Sequence, residues 1–209
     1  MKLKFRLMVV CAIFAAILTA VPAGAATLGV DFSSPGLQAG QSSWSLGYQF
    51  IANNAISVVA LGTFDYGQDG LAGPQQVGLW DASHNLLAST FVDNSDPLQG
   101  FWRFNAISPI SLVAGATYYV ASQGGEGYTF EPSGFTVDPN ITFVQDAWHY
   151  NGNTSNSPLA FPDATDNLAG FFGGNIELSS SATTPEPSSF ALFGLGMAVI
   201  GLVRRRLSR

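Results

Sequence analysis

Along the middle of this chain, apolar and polar residues alternate with a period of two, and no sustained period of 3.6 competes with it. Trp44, Leu46, Tyr48 and Phe50 fall on one side of such a segment, with Ser45, Gly47 and Gln49 between them. Successive side chains of an extended chain point to opposite faces, so this spacing sends one face of a sheet into a core. Residues 55–65 are apolar and β-branched almost throughout and read as a second, more buried strand. Residues 76–81 and 86–92 flank Ala82-Ser83-His84-Asn85, which predicts a hairpin with a four-residue loop. Residues 101–104, 117–123, 141–144 and 171–178 complete the strand candidates. Gly, Pro, Asn and Asp collect between them, at 69–74, 93–100, 124–127 and 151–166. Eight short strands separated by turn signals predict an all-β fold, an antiparallel β-sandwich with the jelly roll as its preferred variant. Without an internal repeat, residues 26–178 read as one domain, followed by a Ser/Thr tether at 179–184.

The two ends obey different rules. Lys2, Lys4 and Arg6 form a basic start, residues 7–20 are apolar, and Ala23-Gly24-Ala25 supplies an A-x-A cleavage site. That order predicts a signal helix within residues 1–25, cut by signal peptidase between Ala25 and Ala26. Cys11 lies inside the apolar run behind Val10, where a lipoprotein needs a small residue, so it leaves with the signal. The exported domain is then cysteine-free, which an oxidising compartment permits. At about 155 residues it can bury enough surface to fold without disulfides.

At the other end Pro185-Glu186-Pro187 precedes an apolar run at 190–203, closed by Arg204-Arg205-Arg206-Leu207-Ser208-Arg209. A helix over that run is about 21 Å long, short of the roughly 30 Å of a hydrocarbon core. It is apolar on every side, however, and Arg204, Arg205 and Arg206 form a stop of the kind held on the cytoplasmic side. Gly194 and Ala198 have small-xxx-small spacing, which a Gly- and Ala-rich run also produces by chance. Motif, hydrophobic helix and basic end resemble, in order and spacing, the PEP-CTERM sorting signal of Gram-negative bacteria. The same tail is sometimes labelled an ice-binding protein C-terminal domain, a label that carries no ice-binding activity with it. The resemblance implies processing by an exosortase, a membrane-embedded cysteine protease-transpeptidase, after transient association with the inner membrane. It also implies delivery to the cell surface, outer envelope or extracellular matrix of bacteria that make exopolysaccharide and biofilm. The alternative is a plain single-pass anchor.

Removing both ends changes the charge. Three basic residues leave with the signal and four with the tail, so Arg103 is the one cation between residues 26 and 184, against thirteen carboxylates. One minus thirteen leaves a formal −12. Nucleic acid is excluded as a partner, because its binding needs cations that displace counterions. Exopolysaccharide stays possible as a partner, although an acidic one needs a bridging divalent cation. Arg103 is assigned to satisfying carboxylates, with anion binding as the alternative.

Candidate chemistry is sparse. Only His84 and His149 are available as imidazole bases, and no G-x-S-x-G or H-E-x-x-H occurs. His84 falls in the predicted hairpin loop as a solvated turn residue. His149 stands in Asp146-Ala147-Trp148-His149-Tyr150 and reads first as a partly exposed neighbour of a packed Trp. Glycoside hydrolysis needs two carboxylates, for which Glu126, Glu131 and Asp146 are candidates; with thirteen present, such pairs also arise by chance. Calcium, which takes six to eight oxygens, is the possible cofactor, at Asp65 and Asp69 or at Asp163 and Asp166. No catalytic residue and no metal ligand set is assigned. Trp148 and Tyr150 form the candidate platform for stacking on sugar rings, while Trp44 and Trp102 fit a core. Val77-Gly78-Leu79-Trp80-Asp81 and then Leu112-Val113-Ala114-Gly115-Ala116-Thr117-Tyr118 are similar to a family of bacterial surface domains of unknown function with a sandwich fold. That resemblance implies a fold and no activity. The expected function is therefore a non-enzymatic structural or adhesive surface domain, with a carbohydrate-binding module and a hydrolase as alternatives.

Overall fold

The alternation centred on Tyr48 becomes a long interior strand, and the rest of the domain is arranged around it. A computed structural model of the chain describes residues 26–39, 43–123, 127–152, 158–166 and 170–179. The signal segment, the tether, the Pro185-Glu186-Pro187 motif, the apolar run at 190–203 and the arginine-rich end lie outside the described residues. Among the described residues no helix is long and apolar enough to cross a membrane.

Among the described residues, fifteen strands run in chain order as β1 (Thr27–Leu28), β2 (Val30–Asp31), β3 (Leu37–Ala39), β4 (Trp44–Ala52), β5 (Ile56–Phe64), β6 (Gln75–Asp81), β7 (Leu86–Val92), β8 (Leu98–Gln99), β9 (Trp102–Leu112), β10 (Thr117–Gln123), β11 (Tyr128–Phe130), β12 (Thr136–Val137), β13 (Ile141–Tyr150), β14 (Ala164–Asp166) and β15 (Gly174–Leu178). They form a five-stranded sheet, β1-β15-β5-β9-β8, and a six-stranded sheet, β14-β13-β4-β10-β6-β7, with two small ribbons, β3 with β11 and β2 with β12. Every pairing is antiparallel. The pairings nest: β6 with β7, β5 with β9, β4 with β10 and β1 with β15 each enclose the one before in sequence.

The two sheets close on one apolar layer. Val58, Phe64, Trp102 and Ile176 come from the five-stranded sheet, and Tyr48, Phe50, Leu79 and Val120 from the six-stranded one. Phe172, between strands, is fully buried and packs on Phe32, Tyr48, Phe135 and Phe143. One polar group sits deep in this layer. Asn175 is fully buried; its Oδ1 accepts from the Tyr48 hydroxyl at 2.9 Å and from the Val30 N–H at 3.2 Å, and its Nδ2 donates to the Val30 carbonyl at 2.8 Å. It fastens β2 and β4 to β15 with no orphaned amide atom, as a buried polar group requires. Burial holds the Tyr48 hydroxyl well above the ordinary phenol range.

Three expected elements come out differently. The strand expected at 101–104 continues to Leu112 and passes through Pro109. Its register with β5 breaks between Ala106 and Ile110, so Pro109 stands at a bulge outside the ladder, where a missing N–H is tolerated. The strand expected at 141–144 runs on to Tyr150, because a bulge between Phe143 and Gln145 resets the alternation. Asp146, Trp148, His149 and Tyr150 are thus strand residues. Within the stretch expected to be loop at 151–166, Ala164–Asp166 forms β14 at the sheet edge.

Candidate functional site

Opposed residues of an antiparallel ladder share a face, and the register of the six-stranded sheet lines up a row of small residues on its outer side. Gly78, Ala121, Gly47 and Ala147 stand opposite one another across β6, β10, β4 and β13. The adjoining row carries Trp80, Tyr119, Gln49 and Gln145, in which Gln145 Nε2 donates to Gln49 Oε1 at 2.7 Å. The result is a shallow trough with aromatic and amide groups along one bank.

A strap at 158–163 lies on this face. A Cβ at Gly78 would stand 2.5 Å from the Trp80 ring and 2.9 Å from the Leu159 side chain, so the bare glycine makes room for both. The Ala160 N–H donates to Ser45 Oγ at 3.0 Å. Phe161 stacks on His84 at 3.8 Å between ring centroids and meets Tyr119 and Trp80 edge-on. His149 Nδ1 lies 2.8 Å from Asp163 Oδ1. Both histidines of the chain therefore touch the same strap. His84 sits on the hairpin turn at a positive φ of 66°, and the turn is organised by Asp81, whose Oδ1 accepts from the Ser83 and Asn85 N–H groups. A bond from Asn85 Nδ2 to Asp81 Oδ2 at 2.9 Å, together with those two, holds the Asp81 carboxyl below its ordinary range.

Ser45, His149 and Asp163 share the outer face and include the residue types of a nucleophilic triad. Their geometry is structural. Ser45 is fully buried, and its hydroxyl accepts from the Ala160 N–H and, at 3.2 Å, from Asn151 Nδ2. Among the described residues no hydrogen bond joins it to His149. Of the three carboxylates considered for hydrolysis, Glu126 lies outside the described residues. Glu131 is on an exposed turn with φ of 51°, and Asp146 is fully buried.

Of the calcium candidates, Asp65, Asp163 and Asp166 have neighbours of their own. Asp65 is fully buried; its Oδ2 pairs with Arg103 Nε at 2.8 Å and its Oδ1 accepts from the Gly70 N–H at 3.2 Å. Arg103 also donates from Nη1 to the Asp96 carbonyl at 3.0 Å. Asp163 faces His149, whereas Asp166 stands opposite Asp146 in the ladder. Sequence reasoning reached Arg103 as a partner for carboxylates and missed Asp146 opposite Asp166, which join through a strand it did not foresee.

The opposite face, at the end of the sheet where β4 starts and β13 stops, carries the other aromatic group. Trp44 meets Trp148 edge-on at 5.2 Å and Tyr150 at 4.7 Å. Trp44 and Trp148 are half-buried and Tyr150 is exposed. The Trp148 indole N–H is buried without a hydrogen-bond partner among the described residues. Trp44 belongs to this partly open cluster, in contrast to the core position expected for it; Trp102 is fully buried as expected.

Fold and surface together define an acidic, all-antiparallel β-sandwich domain whose ionisable side chains mostly bond to one another or to the backbone. The chain belongs to the family described as a domain of unknown function, DUF4082, whose model matches residues 32–173. The PEP-CTERM protein-sorting motif matches residues 183–206. Such a motif implies an exported protein that an exosortase processes at a membrane. No curated protein matches the chain.

Proposed function

We propose that this chain is a non-enzymatic structural or adhesive component of the cell surface, outer envelope or exopolysaccharide matrix. The observation that carries this reading is the sorting motif just downstream of the sandwich. The precursor is held at the inner membrane by residues 190–203 and stopped by Arg204, Arg205 and Arg206. Signal peptidase cuts before Ala26, and exosortase cuts near Pro185, Glu186 and Pro187. A non-catalytic role is supported by the engagement of Asp65, Ser45 and His149 in internal contacts. The tie that calcium would supply at 65–70 is assigned to Arg103.

We read the sandwich as a jelly roll. Four nested antiparallel pairs, divided between two sheets, are what a long hairpin gives when rolled up; β13 and β14 extend one sheet beside β4. Mass spectrometry of envelope and medium fractions tests the sorting. Mature protein should begin at Ala26 and lack the arginine-rich end, and Glu186→Ala should accumulate uncut in the membrane. Exported protein that always retains Arg209 would overturn the reading.

A second reading is a carbohydrate-binding module built on Trp44, Trp148 and Tyr150. It is favoured by the partly open ring cluster with an unpartnered indole N–H. Neutral β-glucan titrated into the protein should quench Trp fluorescence, and Trp148→Ala should abolish the response; equal quenching in both proteins would remove this reading.

A further inference from the structure

Asp146 and Asp166 stand directly opposite each other in the ladder that joins β13 to β14. Asp146 is fully buried. Its Oδ1 accepts from the Asp166 N–H at 3.2 Å, and as opposed ladder partners the two residues carry their side chains on one face of the sheet, with Cβ atoms about 4.5–5.5 Å apart. Its Oδ2 has no donor among the described residues. Two ionised carboxylates in opposed ladder positions repel, and a buried carboxylate oxygen without a donor carries a desolvation cost. One proton removes both problems, because a protonated Asp146 donates to Asp166 while Oδ1 still accepts from the backbone.

We propose that β14 is a proton-held latch, in which one proton shared by Asp146 and Asp166 keeps the downstream end of the strap on β13 and its loss releases it. The Asp146 carboxyl is pushed up to about 8, first by burial and then by its hydrogen bond and charge interaction with Asp166. Of the groups that face it, Tyr48 is its partner on β4 and keeps its own proton, with the hydroxyl turned to Asn175. Asp166 is the charged neighbour from β14. His149 and Asp163 sit on the other face of the sheet and hold the strap independently of this proton.

The direction follows from linkage. The folded state holds the proton more tightly than an unfolded Asp does. The stabilisation it brings is complete below the ordinary carboxylate range and is lost as pH rises through about 8. Unlike an exposed acid pair, this one is intact at neutral pH.

The test is an NMR titration of full-length protein labelled with 13C at Asp Cγ, from pH 5 to 10, with amide exchange of Thr165 and Asp166 followed alongside. One Asp should titrate near pH 8, and the signal should vanish in Asp146→Asn. Protection of the two amides, corrected for intrinsic exchange, should fall at least tenfold above that midpoint in the wild type. It should stay flat in Asp146→Asn, where an amide replaces the proton as donor. If that variant folds poorly, Asp166→Asn serves instead, and it should lower the Asp146 midpoint. An Asp146 midpoint in the ordinary carboxylate range would overturn the proposal, as would wild-type β14 protection independent of pH.

Discussion

At the scale of single residues, the domain concentrates its polar bonding in a few buried side chains. Arg103 shows this best, because it is the one cation of the sandwich and it spans two loops. Its guanidinium holds Asp65, which caps the turn before Gly70, and it reaches the carbonyl of Asp96 in the neighbouring loop. Asp65 is fully buried, so removing Arg103 strands an ionised carboxyl in the interior. Loss of one partner from a buried pair costs about 3–5 kcal/mol, although replacing both can be nearly neutral. Arg103→Met should therefore lose about that much in urea unfolding. Adding Asp65→Asn should recover more than half, since Asn still accepts from the Gly70 N–H. A single-variant loss below about 1 kcal/mol would show that the pair is solvated. That Arg103 would serve a carboxylate followed from charge alone; which of thirteen it serves depends on how β5 and β9 pair, which local composition does not encode.

At the scale of elements, the legible strands were those whose own residues keep the period of two. β4, β6, β7 and β10 are readable because one face of each meets the opposite sheet, so Tyr48, Leu79 and Val120 repeat in step with Phe50, Val77 and Tyr118. Where a strand departs from that, the signal fails for a physical reason. In β13 the bulge at Val144 changes which parity points inward, and Asp146 arrives at a core-facing position where a hydrophobe is expected. In β9 the register with β5 breaks between Ala106 and Ile110, so Ser108 and Pro109 meet no ladder constraint there. β14 is three residues long and has no hydrophobic pattern of its own; it forms because β13 presents an open edge and the strap has already been anchored upstream by Leu159 and Phe161. The trough was illegible for a related reason. Gly78, Ala121, Gly47 and Ala147 are far apart in sequence, and only register places them in a row.

For the whole molecule, the governing quantity is charge. Thirteen carboxylates face one arginine between residues 26 and 184; among the described residues Arg103 pairs with Asp65, and His149 stands against Asp163, a contact that is ionic only when the imidazole is protonated. The first is buried and barely screened, so added salt has little attraction to weaken and much repulsion to relieve. The Debye length falls from about 30 Å at 0.01 M to about 8 Å at 0.15 M, from longer than the spacing of surface carboxylates on a small domain to roughly comparable with it. Melting temperature should accordingly rise by a few degrees over that range, corresponding to about 1 kcal/mol for a chain of this size. The gain should be larger at pH 9 than at pH 6, because ionisation of the pair formed by Asp146 and Asp166 adds one more negative charge to an already repulsive set. Differential scanning calorimetry at the two pH values and two salt concentrations measures both terms. A melting temperature that falls with salt would mean that attractive pairs outweigh the net charge. A salt effect equal at the two pH values would mean that the carboxyl pair does not ionise between them.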